Sequence, residues 1–437
     1  MTLKGVMRVS PVNYLQLLAC ASIAFAMDMD DTTEYTRPEI TAAGSKTCHW
    51  LASISFLLLL PSFSACLTFG GKVYSSLFFQ SITFGYCFLE ALFLNFADGD
   101  GIENRTSKGC SWALLLLSGL TVFVGAIYTG SNFLLRNNSV QKALSHISST
   151  KVEITHRILS MLCVIGGWVK ICLAPVALFG FCRGKHTGQC IAHGIMGTAF
   201  VLYGFVYATV LVIPWLRNNE GKYSQDFYDC CVMCVWGIVN TFTEHRWGRE
   251  KWNHGDYQHT AMGIIWWAGG LTGMYLSRNG NRTFVPGLLI IFTGWAMSEH
   301  TQKLVISTKV HHLFGLVLMS GGALRIVEVA FLLKDRRTDK NIHSFQYLPA
   351  FCLICSGILF MGANEEQLIL VLRLGADHGA YSLVLISGAF LVFLWQLVCL
   401  NLYLRLVEKK AGSFLDNQHS EESVVEFSLG EINNLSE

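Results

Sequence analysis

Residues 377–407 read DHGAYSLVLISGAFLVFLWQLVCLNLYLRLV, and no aspartate, glutamate, lysine or arginine occurs between Asp377 and Arg405. An apolar run needs about 20 residues to cross the hydrocarbon core of a bilayer as a helix, and this one exceeds that length. It is the last of eleven such runs. The others cover about 50–69, 73–97, 110–135, 156–182, 189–216, 228–244, 257–277, 284–299, 308–333 and 345–362. Pro61, Pro175 and Pro214 lie within or beside them. Membrane helices tolerate such residues, whereas strands do not.

Composition agrees with this reading. Of 437 residues, 52% are hydrophobic and only 14% are charged, against about 25% in a soluble globular protein. Lys plus Arg (32) nearly balances Asp plus Glu (30), which excludes a basic nucleic-acid binder. Forty glycines against seven prolines suit helices that pack closely through small residues in lipid. The fold class is all-α: a polytopic membrane protein with about eleven transmembrane helices, whose main partner is the lipid bilayer.

The first 26 residues place Lys4 and Arg8 before an apolar stretch that ends in Ala24-Phe25-Ala26, the pattern of a signal peptide, with an uncleaved anchor as the alternative. Residues 27–135 then form an N-terminal membrane domain and 136–407 a C-terminal one. Residues 408–437 are acidic and expected to be disordered, with Asp416 and five glutamates and no Lys or Arg after Lys410. A cleaved leader and eleven spans put residue 27 outside and the tail inside. Lys and Arg are denser on the inner side, most of all at 334–340 and 405–410. The sequon Asn104-Arg105-Thr106 falls in an outer loop and is a glycosylation candidate. The destination is the secretory pathway, at the plasma membrane or an endomembrane.

On this topology ten of the fourteen histidines lie at or near the outer face. Several open a helix that runs inward: His193 in HGIMG, His259 in HTAMG, His311 and His312 in HHLFG, His378 in DHGAY. A small residue follows each at similar spacing, as in a degenerate repeat of helical hairpins. Neutral imidazole is a preferred ligand for haem iron, Zn, Cu and Ni, and a nearby glycine leaves room for a macrocycle. The other reading is that histidines gather at membrane interfaces because the ring has a wet and a dry side. There is no Cys-x-x-Cys-His for a covalently attached haem. His300 ends span eight beside Glu299, close to His311 and His312 across a short turn.

Ionisable residues inside the bilayer are functional candidates by default. Glu90, Lys170, Arg325 and Glu328 qualify, and Arg325 and Glu328 stand three apart on one helix face, where they can pair with each other. Two pairs of cysteines, Cys182 with Cys190 and Cys48 with Cys110, lie on the outer side, where a disulfide can form. Cys231-x-x-Cys234 and Cys352-x-x-Cys355 fall inside apolar helices and read as packing residues.

The stretches AHGIMGTAFVLYGF, NTFTEHRWG, QHTAMGIIWWAGG, FTGWAMSEHTQ, KVHHLFGLVLMSGGALRIVE and MGANEEQ, between residues 192 and 367, resemble the C-terminal region of the fungal Ytp-like family. Residues 49–135 look like the domain of unknown function that precedes it there. The family is in turn similar to the cytochrome b561 and ferric-reductase-like membrane superfamily, in which histidine pairs on four helices hold two b haems. That similarity implies haem b as cofactor, with His259, His300, His312 (or His311) and His378 as axial ligands and His193 in reserve. These candidates share one membrane face, and only His156 and His343 are available near the other, so one haem is easier to support than two. Three functional readings follow: a b-type haem protein moving electrons at the outer face, a transporter or sensor for a metal ion or small solute, and a membrane scaffold without chemistry. The electron donor or solute is not written in the sequence.

Overall fold

A computed structural model describes residues 42–93, 104–134, 149–217, 222–243, 251–252, 254–300, 302–333 and 342–434, with single positions at 35, 40 and 245. The leader expected at 1–26 lies outside the described residues. Within them every regular element is helical and there is no strand. A helix covers each of the eleven apolar runs: α1 (Ala43–Phe69), α2 (Val73–Phe93), α3 (Arg105–Leu134), α4 (Ser149–Cys172), α5 (Thr187–Val212), α6 (Gln225–Thr243), α7 (His254–Leu276), α8 (Val285–Ser298), α9 (Val305–Val327), α10 (Tyr347–Met361) and α11 (His378–Asn434). Seven of the helical stretches among the described residues are long and apolar enough to cross a membrane: those of α1, α3, α4, α5, α9, α10 and α11. The chain is a multi-pass membrane protein. At 1.5 Å per residue the 14-residue α8 is about 21 Å long, short of the hydrocarbon core. Helices α2 and α6 carry buried polar side chains in place of part of the apolar run.

Two compact units divide the chain. One lies between Pro38 and Gly180 and takes in the helix beyond Leu397; the other runs from Phe181 to Gln396. The division falls after α4, which packs against α1 and α3. Helix α11 runs on to Asn434. No proline follows Pro349, and nothing else in the segment forces the backbone out of helical geometry.

In the unit from Phe181 to Gln396 the helices pair along glycine seams. Gly287 and Gly294 on α8 meet Gly322 and Gly315 on α9: a Cβ on Gly294 would stand 2.6 Å from the Gly315 carbonyl oxygen, and one on Gly315 would stand 2.3 Å from that of Gly294. Gly197 on α5 meets Gly357 on α10 in the same manner, as does Gly237 on α6 with Gly263 on α7. Glycines seven residues apart (197/204, 263/270, 287/294, 315/322) recur on one helix face after two turns, so each seam runs the length of an antiparallel pair. Small residues allow this backbone approach, the main source of helix association in lipid. Phe200, Phe314, Leu318, Ile354, Leu359 and Phe360 fill the space between the pairs.

The unit from Pro38 to Gly180 has a different interior. Its apolar clusters are small, Leu57, Cys87 and Leu114 in one and Trp50 with Ala177 in another. Many inward positions are polar: Ser76, Gln80, Thr83 and Glu90 on α2, Ser107, Ser111, Ser118 and Thr121 on α3, and His156, Ser160 and Lys170 on α4, all buried. Helix α1 widens into a π turn at Ile54–Leu59, just ahead of Pro61. Pro61 has no N–H for the Leu57 carbonyl. That freed carbonyl points at Gly167 of α4, where a Cβ would lie 1.7 Å from it.

Candidate functional site

Three polar constellations are buried in the helices, and the sequence candidates distribute among them. The first is the histidine end of the C-terminal unit. His193 and His311 meet edge to face with ring centroids 5.7 Å apart, and His259 and His300 do the same at 5.6 Å. His193 lies within electrostatic reach of the other three. His193 Nδ1 donates to the Gln189 carbonyl (2.8 Å) and His311 Nδ1 to the Ser307 carbonyl (2.9 Å). A carbonyl can only accept, so in the neutral rings each Nε2 carries the lone pair. The Nε2 of His193 is buried and without a hydrogen-bond partner. His300 Nδ1 meets Gln258 Oε1 at 2.5 Å.

Helical phase decides which of the two adjacent histidines joins this group. His311 precedes Gly315 by four residues and Gly322 by eleven, so it lies on the seam and is buried, while His312 is exposed. His378 is also exposed. The structure thus brings together His193, His259, His300 and His311, and leaves His312 and His378 outside. Glu299 is exposed. Among the described residues no three His, Cys, Asp or Glu side chains come together in a form that could hold a metal ion. Phe360 stacks on His193 at 4.5 Å between ring centroids, and both histidine pairs touch edge to face.

The second constellation lies in the same unit, near the far end of α9. Arg325 donates through Nη1 to Glu328 (2.7 Å) and through Nη2 to Asp226 (2.6 Å). The expected i,i+3 pair is present, and Asp226 of α6 completes it. Arg282 stands 3.7 Å from Asp226, and Gln346 Nε2 donates to Glu328 (3.0 Å). A second π turn, Glu328–Leu332, ends α9 here; such turns recur at functional sites. One helical turn from Asp226, Asp229 accepts from the hydroxyls of Tyr203 and Tyr207 on α5. Asp226, Asp229, Arg325 and Glu328 are all buried. Tyr203, Tyr207, Asp229, Gly322 and Arg325 line a cavity with about 30 Å³ for water-sized centres, room for one or two such molecules.

The third constellation lies in the N-terminal unit. Lys170 bonds Glu90 (3.0 Å) together with the hydroxyl (2.7 Å) and carbonyl (3.1 Å) of Ser107. The two intramembrane charges that the sequence offered separately are therefore partners. Of the two cysteine pairs, Cys182 and Cys190 form the disulfide, and Cys48 and Cys110 are free. Asn104 caps α3 by accepting the Ser107 N–H at its Oδ1 (2.9 Å), which leaves the Nδ2 atom that a glycan would take.

Sequence reasoning missed Asp226, Asp229, Tyr203 and Tyr207. The only signal was an acidic pair three apart at the start of span six, and a carboxylate at a helix start is ordinary.

Residues 166–404, more than half of the chain, match the model of the C-terminal part of YTP1-like proteins. The chain belongs to this family. It is 60% identical over 418 residues to Protein YTP1 of Saccharomyces cerevisiae, which covers 95% of this chain and 91% of the relative. An uncharacterised membrane protein of Schizosaccharomyces pombe is 27% identical over 259 residues, 48% of this chain and 51% of its own. A second uncharacterised membrane protein of Saccharomyces cerevisiae is 24% identical over 174 residues, 34% and 28% of the two chains. No solved structure matches the chain. The family match takes in His193, His259, His300 and His311 as well as Asp226, Asp229, Arg325 and Glu328, so two of the three constellations lie wholly within the YTP1-like region.

Proposed function

We propose that the chain is an eleven-span membrane carrier for a small solute bearing a cationic group, with Asp229 as the anchoring carboxylate. The observation that carries this reading is the charged core around Arg325. Ionisable side chains within a bilayer are expensive and mark solute or ion pathways by default. Three carboxylates (Asp226, Asp229, Glu328) gather here with two guanidiniums (Arg282, Arg325). Asp226 and Glu328 engage the cations, whereas Asp229 is held by tyrosine hydroxyls. The ammonium head of such a solute, admitted when the surrounding helices part, would meet that carboxylate beside the Tyr203 ring, whereas the Tyr207 face already carries Arg325, 5.2 Å from its centroid. Arg325 Nε is buried with no hydrogen-bond partner and would serve the carboxylate of a zwitterionic solute. The Cys182–Cys190 disulfide supports a secretory-pathway membrane.

The test is uptake into liposomes that contain the purified chain, with labelled choline, putrescine and a panel of amino acids under an imposed proton gradient. At least one class should accumulate, and Asp229→Asn should abolish uptake while the protein stays folded. The carrier reading fails if no class is taken up and none shifts the thermal midpoint. Electron transfer through haem b would require the His193–Phe360 stack to open. A dithionite-reduced spectrum without a Soret band removes that alternative.

A further inference from the structure

We infer that the N-terminal unit binds a small monovalent cation, of sodium size, in a cavity lined by Ser64, Gln80, Thr83, Ser118, Thr121 and Ser160. This stands apart from the carrier reading, which concerns the other unit.

The cavity is enclosed by α1 to α4 and offers about 10 Å³ to the centre of an occupant, so it takes one particle the size of a water molecule. Its chemistry is one-sided. Ser64 donates its hydroxyl hydrogen to the Pro61 carbonyl (3.0 Å), Ser118 to Leu115 (3.1 Å), Thr121 to Leu117 (2.7 Å) and Ser160 to His156 (2.8 Å). A carbonyl can only accept, so all four hydrogens are directed to the backbone and all four oxygens keep lone pairs for other partners. Gln80 is similarly committed: its Oε1 faces His156 Nε2 (2.9 Å), and its Nε2 donates to Ser160 (2.9 Å) and Thr68 (3.3 Å). Cys163 Sγ stands 3.2 Å from Thr121 Oγ1.

Thr83 supplies the independent observation. It is 5% exposed, and its Oγ1 is buried without a hydrogen-bond partner while lining the cavity. A buried hydroxyl left without a partner costs about 1–3 kcal/mol, which an occupant of the cavity would recover. A site rich in acceptors and poor in donors suits a cation. No carboxylate lines it, and hard divalent ions seek carboxylates, so the fitting occupant carries a single charge. The same lining has no aromatic face or large apolar wall for an organic cation.

The experiment uses the full-length protein in detergent, with sodium, lithium, potassium or choline chloride exchanged at constant ionic strength. Thermal unfolding is followed in each. Sodium should raise the midpoint saturably while choline does not. Thr83→Val keeps the side-chain shape and removes one ligand, so half-saturation should move to about tenfold higher sodium. Ser118→Ala should act in the same direction, and the ion series on the unaltered protein stands even if a variant does not fold. Identical midpoints in sodium, potassium and choline would overturn the inference and leave a water as the occupant. A saturable sodium effect untouched by both substitutions would overturn it as well, since the ion would then bind elsewhere.

Discussion

Arg325 and Asp226 show how much a single buried charge controls. Each has its partner within hydrogen-bond distance in the interior of the C-terminal unit, and removing one strands the other in a medium of low dielectric. Arg325→Gln should therefore lower stability by about 3–5 kcal/mol, read as a fall in the thermal midpoint. The double variant Arg325→Gln with Asp226→Asn should recover part of the loss. If the two substitutions were simply additive, the pair would not be coupled. Glu366 behaves differently because it lies between α10 and α11. It accepts the Cys182 N–H, yet burial holds its carboxyl above the ordinary glutamate value. A raised folded-state value means that the folded form binds the proton more tightly than the unfolded one. Docking of the Cys182–Cys190 loop is therefore strongest below the glutamate range and weakens as pH rises. Hydrogen exchange of residues 181–190, corrected for its intrinsic pH dependence, should slow as pH falls from ~8 to ~4, and Glu366→Gln should flatten the trend. Among these residues the sequence made Glu90, Lys170, Arg325 and Glu328 visible because a charge in an apolar run has no ordinary explanation. Asp226 and Asp229 stayed hidden at the head of a helix, and Thr83 because threonine is common in membrane helices.

At the scale of the element, the eleven apolar runs predicted the positions of the helices well, since length and hydropathy are properties of the chain alone. The inward face of each helix was less legible. Choosing between His311 and His312 needed the phase of α9, and that phase was written in Gly315 and Gly322 rather than in the histidines. The π turn of α1 was foreshadowed by Pro61, but its consequence at Gly167 depends on a different helix. Gly167→Ala should be poorly tolerated, since its Cβ would lie 1.7 Å from the Leu57 carbonyl oxygen and only backbone movement relieves that. A loss of about 3 kcal/mol is expected, at the severe end for overpacking. Gly44→Ala, where nothing lies within 4 Å, should leave the midpoint unchanged. Equal effects at the two sites would show that the contact is not rigid.

At the scale of the whole molecule, sidedness can be tested with a single sugar. The inferred topology puts Asn104 outside and Asn137, Asn281 and Asn434 inside. Expression in a eukaryotic cell should give one endoglycosidase-sensitive shift, lost in Asn104→Gln and kept when the other three are changed. A shift that survives Asn104→Gln would invert the topology. The two-unit division was not readable from composition, because both halves are equally apolar. They differ in what their helices turn inward: glycine and aromatic side chains in one, hydroxyls in the other.

The glycine seams have a genetic consequence. Every missense change of a glycine codon yields a residue with at least a Cβ. At Gly294, Gly315, Gly287 and Gly322 even that first carbon would lie within 2.9 Å of a neighbouring backbone oxygen. Missense change along these seams has no mild option. A saturation mutagenesis map of this chain should show intolerant positions seven codons apart on paired helices, more sharply drawn than the charged core itself.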